Sequence, residues 1–255
     1  MSVIDPVPAV VGLFAGFIGS LLGVGGGSII TPLLVAMGYD IKTVIPASLL
    51  SIVGTSLGGL DVYHREGLID YRTALRLESS AIIGTMIGVH LVLSVRPIVL
   101  KAALSAVLIY VGATSLRKAF ASQGEADYGG KPMLGGAREA LGIAAGVVKG
   151  LVSSLVGVGG GIIGVPILNR ILGLEMRSAI ATSKMLVGIT AASGALGYVL
   201  KGALDPCLGI SLSLGTIAGA IMGSHVGVRL SNRVAMILFA VFLIVMSIVI
   251  LVRSG

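Results

Sequence analysis

Several apolar stretches approach or exceed the ~20 residues that carry a helix across a bilayer, among them residues 72 to 95, 97 to 117, 207 to 229 and 232 to 252. That feature excludes most folds. In hydrocarbon a backbone N–H or C=O finds no partner outside the protein, so a spanning segment is either a helix or part of a closed barrel. A barrel needs short segments of alternating polarity, and these runs do not alternate. Charged residues make up only 11% of the chain and its mean hydropathy is +1.06, whereas soluble domains carry roughly 25% charge. The chain is therefore expected to be an all-α polytopic membrane protein.

The net charge of +7 would suggest nucleic acid in a soluble protein. Here the basic residues sit in loops and follow the positive-inside bias, so no nucleic-acid partner is expected. Cys207 is the single cysteine, which leaves neither an intrachain disulfide nor a cysteine metal cluster. The first residues lack a basic n-region and a cleavage site, so the apolar stretch after them reads as a first mature membrane segment.

The chain repeats itself. Residues 16 to 34 read GFIGSLLGVGGGSIITPLL and residues 150 to 168 read GLVSSLVGVGGGIIGVPIL, an offset of 134. After one inserted residue near Leu172 or Gly173 the offset becomes 135, and Tyr63, Gly67 and Asp70 match Tyr198, Gly202 and Asp205. Gly84, Gly88 and His90 then match Gly219, Gly223 and His225. Each half is expected to hold an apolar helix (7 to 22; 139 to 156), a glycine break, a short helix (28 to 37; 162 to 172) and three longer helices (42 to 60, 72 to 95, 97 to 117; 177 to 199, 207 to 229, 232 to 252). The first repeat is placed at 1–117 and the second at 138–255, joined by a polar linker, 118–137, the only long hydrophilic stretch.

Charge counting orients the halves. If each crosses an odd number of times, one face collects twelve basic residues and the other five, with Lys184 set aside as intramembrane; setting aside the deep Lys149 too leaves eleven against five. An even count divides them more equally. The positive-inside rule thus favours two inverted repeats, with the linker cytoplasmic and the N-terminus outside. The first two segments of each half are either a re-entrant hairpin or a broken spanning pair.

Gly23-Val24-Gly25-Gly26-Gly27 interrupts helix, since each interior glycine costs about 0.8–1 kcal/mol relative to alanine. Helix is expected to resume near Ser28, with Thr31 and Pro32 in its first turn. Gly157 to Gly161 repeats the break, with Pro166 after it. A restarted helix presents free N–H groups and the positive end of its dipole, which suit an anion. In a membrane such backbone persists only where it is buried or lines a cavity. Two breaks in inverted halves would meet near the midplane, where transporters of this construction hold substrate. The competing reading is close helix packing at small residues. GVGGG is neither a phosphate-binding loop, lacking Gly-Lys-Ser/Thr, nor a dinucleotide fingerprint.

The doubled motif GSLLGVGGGxxxxPLL and SSLVGVGGGxxxxPIL, with the Ala-Ser and Ala-Thr-Ser helices that follow, resembles the TauE/SafE family of sulfite exporters over residues 9 to 252. The resemblance implies a plasma-membrane permease for small sulfur-containing anions such as sulfite, sulfoacetate or related organosulfonates. It implies secondary transport without an ATPase. Sulfur specificity comes from the resemblance alone.

Ionisable residues deep in membrane helices are functional candidates. Lys149 and Lys184 match Ala15 and Leu49, so both lysines break the repeat. Beside a glycine break they would suit a sulfonate or carboxylate; the alternative for Lys149 is snorkelling to the cytoplasmic interface. Expected substrate-binding residues are Gly25, Gly26, Gly27, Ser28, Thr31, Ser48, Gly159, Gly160, Gly161, Thr182, Ser183, Lys184 and Lys149. The hydroxyls could instead bond helix backbone. His90, His225 and Glu78 are candidates to carry a proton, although Glu78 would more simply pair with Arg72 at the interface. Tyr63 and Tyr198 are read as anchors of helix ends. No catalytic triad, metal spacing or cofactor motif is present, so no enzyme activity and no cofactor are expected. The expected function is proton-driven carriage of a small anion by alternating access across the cell membrane, in a protein that could dimerise. A passive anion channel and a carboxylate permease remain open alternatives.

Overall fold

The computed structural model describes residues 6–22, 26–120, 136–227 and 232–253. These are helical apart from short turns, in the order α1 (Pro6–Leu22), α2 (Gly27–Ala36), α3 (Ile41–Arg65), α4 (Tyr71–Ser94), α5 (Pro97–Phe120), α6 (Gly136–Val156), α7 (Gly161–Pro166, continued by a π-helical turn, Ile167–Ile171), α8 (Met176–Leu200), α9 (Pro206–Gly227) and α10 (Asn232–Val252). Among the described residues four segments are long and apolar enough to cross a membrane: Tyr71–Ser94, Pro97–Arg117, Ser178–Leu200 and Pro206–Gly223. The expected helices are all present. The helices α5 and α6 reach Phe120 and Gly136, so they extend into the stretch expected as linker; residues 121–135 lie outside the described residues.

The repeat extends to the backbone. Gly38 and Gly173 are equivalent by the offset, as are Gly67 and Gly202, and all four have positive φ just after a helix end. Asp70 caps α4 by accepting from the Thr73 N–H at 3.0 Å, and its mate Asp205 caps α9 by accepting from the Cys207 and Leu208 N–H groups at 2.9 and 3.2 Å. Proline departs from expectation. Pro32 is the sixth residue of α2, not in its first turn, and Pro166 ends α7. Proline supplies no N–H to the ladder, and after Pro166 the helix widens into the π turn.

The halves interlock. The first helix of each packs on the fourth helix of the other, α1 on α9 and α6 on α4. Small residues permit this. In α1 and α9 a Cβ added at Gly12, Gly16, Gly215, Gly219 or Gly223 would overlap backbone of the facing helix. The equivalent residues Gly84, Gly88, Gly146 and Gly150 hold α4 and α6 together in the same way. Residue order shows that each of these pairs is parallel. Equivalent helices run antiparallel: on α3 and α8, Leu49 meets Gly194 while Ser56 meets Gly188, and on α5 and α10, Ser105 bonds to Ser247 while Gly112 faces Ile244 and Ala240. Among the described residues the largest apolar core draws on α1 to α6 and α8 to α10, and includes Ile29, Leu34, Ile45, Leu49, Leu104 and Leu243.

Candidate functional site

The described end of the first glycine break meets the second. A Cβ on Gly27 would come 2.5 Å from the carbonyl oxygen of Gly157 and would overlap the Ile52 side chain. The Gly157 oxygen accepts from Ser48 Oγ at 2.8 Å and, at a longer 3.4 Å, from Thr31 Oγ1. Hydroxyls of the first half thus hold the backbone of the second break. Gly157, Gly159 and Gly160 all have φ between 72° and 74°, a conformation costing other residues about 1–2 kcal/mol each. The run of glycines is what lets the chain turn here. Gly23, Val24 and Gly25 lie outside the described residues; Gly26 accepts from the N–H groups of Ile29 and Ile30 and starts α2.

Behind the second break lies a buried polar cluster. Lys149 Nζ of α6 is 2.7 Å from Glu78 Oε2 of α4 and donates to Thr190 Oγ1 of α8 at 3.0 Å. Thr190 Oγ1 donates to Glu78 Oε1, and the Leu186 carbonyl is its competing acceptor at 2.8 Å. The side chains of Lys149 and Glu78 are 0% and 3% exposed. The Lys149 stem packs on Gly160, where a Cβ would sit 3.0 Å from Lys149 Cγ. Two expectations are corrected here. Glu78 does not form an interfacial pair with Arg72, because α4 turns it inward against α6. Lys149 does not snorkel, because Glu78 and Thr190 satisfy its charge where it stands.

The remaining candidates divide between backbone and surface. Ser183 Oγ lies 3.4 Å from the Gly161 carbonyl and lines Gly164. Thr182 Oγ1 accepts from the Asp70 N–H at 3.0 Å, tying α8 to the turn before α4. Ser28 is buried and Lys184 half-buried. His90 is exposed on the outer surface of the bundle, twelve residues and so roughly 18 Å along α4 from Glu78; the side chains of His225 and Tyr63 lie outside the described residues. Tyr198 is not an interfacial anchor. It is fully buried and donates to the Ser154 carbonyl at 3.0 Å, joining α8 to α6. No group of His, Cys, Asp or Glu suited to a metal ion occurs among the described residues.

Sequence reasoning treated Glu78 and Lys149 separately. The signal that pairs them was available: both break the repeat, facing Ser213 and Ala15 in the other half. Two opposite charges at symmetry-broken positions in apolar helices need each other more than either needs solvent.

The chain matches the family described as sulfite exporter TauE/SafE over residues 9–250. It is 24% identical to the "Probable membrane transporter protein YunE" of Bacillus subtilis (strain 168), covering 92% of this chain and 93% of that one. It is 29% identical to the "Probable membrane transporter protein YdhB" of the same organism, over 84% of each. With the "Probable membrane transporter protein MJ0441" of Methanocaldococcus jannaschii it shares 22% identity, over 90% of this chain and 87% of that one. No solved structure matches the chain.

Proposed function

Since the chain belongs to the sulfite exporter TauE/SafE family of multi-pass membrane transporters, and is a transporter rather than an enzyme, we propose that it is a secondary, proton-coupled carrier of a small sulfur-containing anion. The observation that carries this reading is the buried Lys149–Glu78–Thr190 cluster behind the second glycine break. Lys149 is a cation whose side chain packs against that break, at Gly160. An anion arriving there competes with Glu78 for the ammonium. The contest for Lys149 is the step that would link anion and proton movement. Glu78, rather than the exposed His90, is the proton carrier in this scheme. Ser48 and Thr31 hold the break in shape, and the glycines let the anion approach backbone N–H groups.

Movement follows from inverted halves, each opening with a re-entrant hairpin. Antiparallel equivalent helices support this arrangement, and so do contacts between helix ends that charge counting assigns to one face. Lys42 Nζ donates to the Leu93 carbonyl at 3.1 Å and the Arg253 guanidinium to the Ala36 carbonyl, all at ends assigned outside. Ser178 Oγ donates to the Leu68 carbonyl at 2.8 Å, at ends assigned inside. Rocking one half against the other would expose the breaks to each side in turn.

The test is flux in proteoliposomes. Uptake of sulfite or sulfoacetate should saturate and should accumulate against its gradient when a proton gradient is imposed. In Glu78→Gln the proton gradient should no longer drive accumulation. Flux that rises linearly with concentration and ignores the proton gradient would make the protein a passive channel.

A further inference from the structure

The closest helix contacts divide the molecule differently from the sequence. On α1 and α9 a Cβ added at Gly16, Gly215 or Gly219 would overlap the Thr216, Ala9 or Leu13 carbonyl. On α4 and α6 a Cβ at Gly84 or Gly150 would overlap the Val147 or Ala81 carbonyl. In both pairs backbone lies on backbone. Such a pair cannot slide, because axial displacement carries the side chains flanking each glycine into the facing helix. Yet both pairs join one repeat to the other: α1 and α4 belong to the first, α9 and α6 to the second. Repeats moving as units would have to part both pairs.

Side-chain bonds follow the same division. The Lys149–Glu78–Thr190 cluster joins α6, α4 and α8. Tyr198 ties α8 to α6, and Thr182 and Ser178 tie α8 to the turn before α4. On the other side Thr216 of α9 reaches the Ser51 carbonyl of α3 at 3.3 Å. Between α3 and α8 the contact is of another kind. There a Cβ on Gly188 or Gly194 would meet side chains, Ser56 Cβ or Leu49 Cδ1, each at 2.9 Å. Side chains change rotamer, so helices packed in this way can shear. The same seam passes through the breaks, where Ser48 of α3 and Thr31 of α2 hold the Gly157 carbonyl. At ends assigned outside, Lys42 of α3 holds the Leu93 carbonyl of α4 across it.

We infer that the two halves that rock are halves of the structure and not of the sequence: α1, α2, α3 and α9 move as one body, and α6, α7, α8 and α4 as the other. The chain passes between these bodies at two equivalent turns, residues 66–70 and 201–205, each with a glycine of positive φ, Gly67 and Gly202. These turns absorb the rotation. The buried ion pair lies wholly within the second body and travels intact. The breaks part when Ser48 and Thr31 release Gly157. This deepens the anion-carrier reading and rests on it.

The test fixes one contact at a time, in a full chain whose single cysteine is removed by Cys207→Ser. Gly88→Cys with Ser154→Cys links α4 to α6, and Ser56→Cys with Gly188→Cys links α3 to α8. The Cβ positions lie 3.2 and 2.9 Å apart, within about 1 Å of the spacing a disulfide takes. Both links cross between repeats, but only the second crosses between the inferred bodies. Flux of sulfoacetate, which unlike sulfite leaves disulfides intact, is measured in proteoliposomes. Oxidising the α4–α6 pair should leave it within about twofold of the reduced protein, and oxidising the α3–α8 pair should cut it at least about tenfold, reversibly. A block by the first link, or free flux through the second, would overturn the proposal and leave the carrier reading standing. Spin labels ask the same question without tight substitutions. His90 on α4, Leu141 on α6 and Val10 on α1 are exposed. Thioether-linked labels, which sulfite does not cleave, are placed through His90→Cys with Leu141→Cys and through Val10→Cys with His90→Cys. With saturating sulfite or sulfoacetate the first distance should hold and the second, within one repeat, should change by more than about 3 Å. Any other pattern would overturn the proposal. If the wild type carries neither anion, the carrier reading falls and this falls with it.

Discussion

Replacing Lys149 with Met removes one partner of a buried ion pair and nearly conserves volume. The structure sets the magnitude. Both side chains are within 3% of complete burial, the N–O distance is 2.7 Å, and Thr190 bonds to both partners. In Lys149→Met, Glu78 keeps one hydroxyl donor and loses its counter-charge. Breaking such a pair from one side typically costs about 3–5 kcal/mol, which in a chain of this length lowers the melting temperature by on the order of 10 °C. Removing both charges is different. Lys149→Met with Glu78→Gln leaves no buried charge, and the amide oxygen that replaces the carboxylate still accepts from Thr190. The double variant should lie within about 1–2 kcal/mol of wild type, because the ion pair's desolvation cost disappears with its attraction. Chemical denaturation in detergent of the wild type, both single variants and the double variant closes the cycle. A coupling energy of at least about 2 kcal/mol is expected. The same double variant should fold yet fail to accumulate anion under a proton gradient, which separates function from stability. Additive single effects, or single variants each costing under about 1 kcal/mol, would refute the reasoning: the pair would then be open to water and unable to couple anything.

Further outcomes follow from the same geometry. Gly27→Leu should abolish accumulation and destabilise the protein by more than about 2 kcal/mol, because its Cβ runs into the Gly157 carbonyl and Ile52; flux and denaturation check it. Ser48→Ala should cost about 1 kcal/mol by leaving the Gly157 oxygen with only the longer Thr31 bond, and substrate affinity should fall if that bond shapes the break. Gly84→Val and Gly150→Val should each destabilise strongly by parting α4 from α6, whereas Ala144→Val on the exposed face of α6 should be within about 0.5 kcal/mol of wild type. Exposed Cys207 begins α9 at a face assigned outside, so a membrane-impermeant maleimide should label it in intact cells; labelling only after lysis would reverse the topology.

The elements were legible because a bilayer enforces them. Length and apolarity decide a spanning helix, and glycine clusters and Asp70 and Asp205 decide where helices stop and start, all by local chemistry. Partners were not legible. Nothing in α1 states that it packs on α9 rather than α10, although Gly12 and Gly16, read with Gly215, Gly219 and Gly223, were the available hint. The site was partly legible. The doubled break pointed to a meeting of the two halves there, and Gly27 at the start of α2 does meet Gly157. The chemistry assigned to the hydroxyls depended on side-chain direction, which sequence spacing does not carry. Ser48 and Thr31 face the Gly157 carbonyl, and Thr182 faces the Asp70 amide.

The repeat also explains why a carrier of this kind needs to be unequal. The cluster of Lys149, Glu78 and Thr190 sits where α6, α4 and α8 converge; by the repeat its mate is Ala15, Ser213 and Thr55, where α1, α9 and α3 converge. At the mate, Ser213 and Thr55 bond back to the Gly209 and Ile52 carbonyls, at 2.7 and 2.9 Å. A charged cluster at both places would double the desolvation cost in one small bundle and would give the anion two competing cations. In the proposed carrier, one cluster leaves Lys149 contested by one carboxylate and one substrate, as coupled movement of proton and anion would require. Moving the charges to the mate, in a chain carrying Ala15→Lys and Ser213→Glu with Lys149→Ala and Glu78→Ser, should therefore give a folded protein whose binding site lies at the first break. If accumulation survived that transfer, the cluster alone would define where the anion sits; if it was lost with the fold intact, the cluster would be insufficient to make the site.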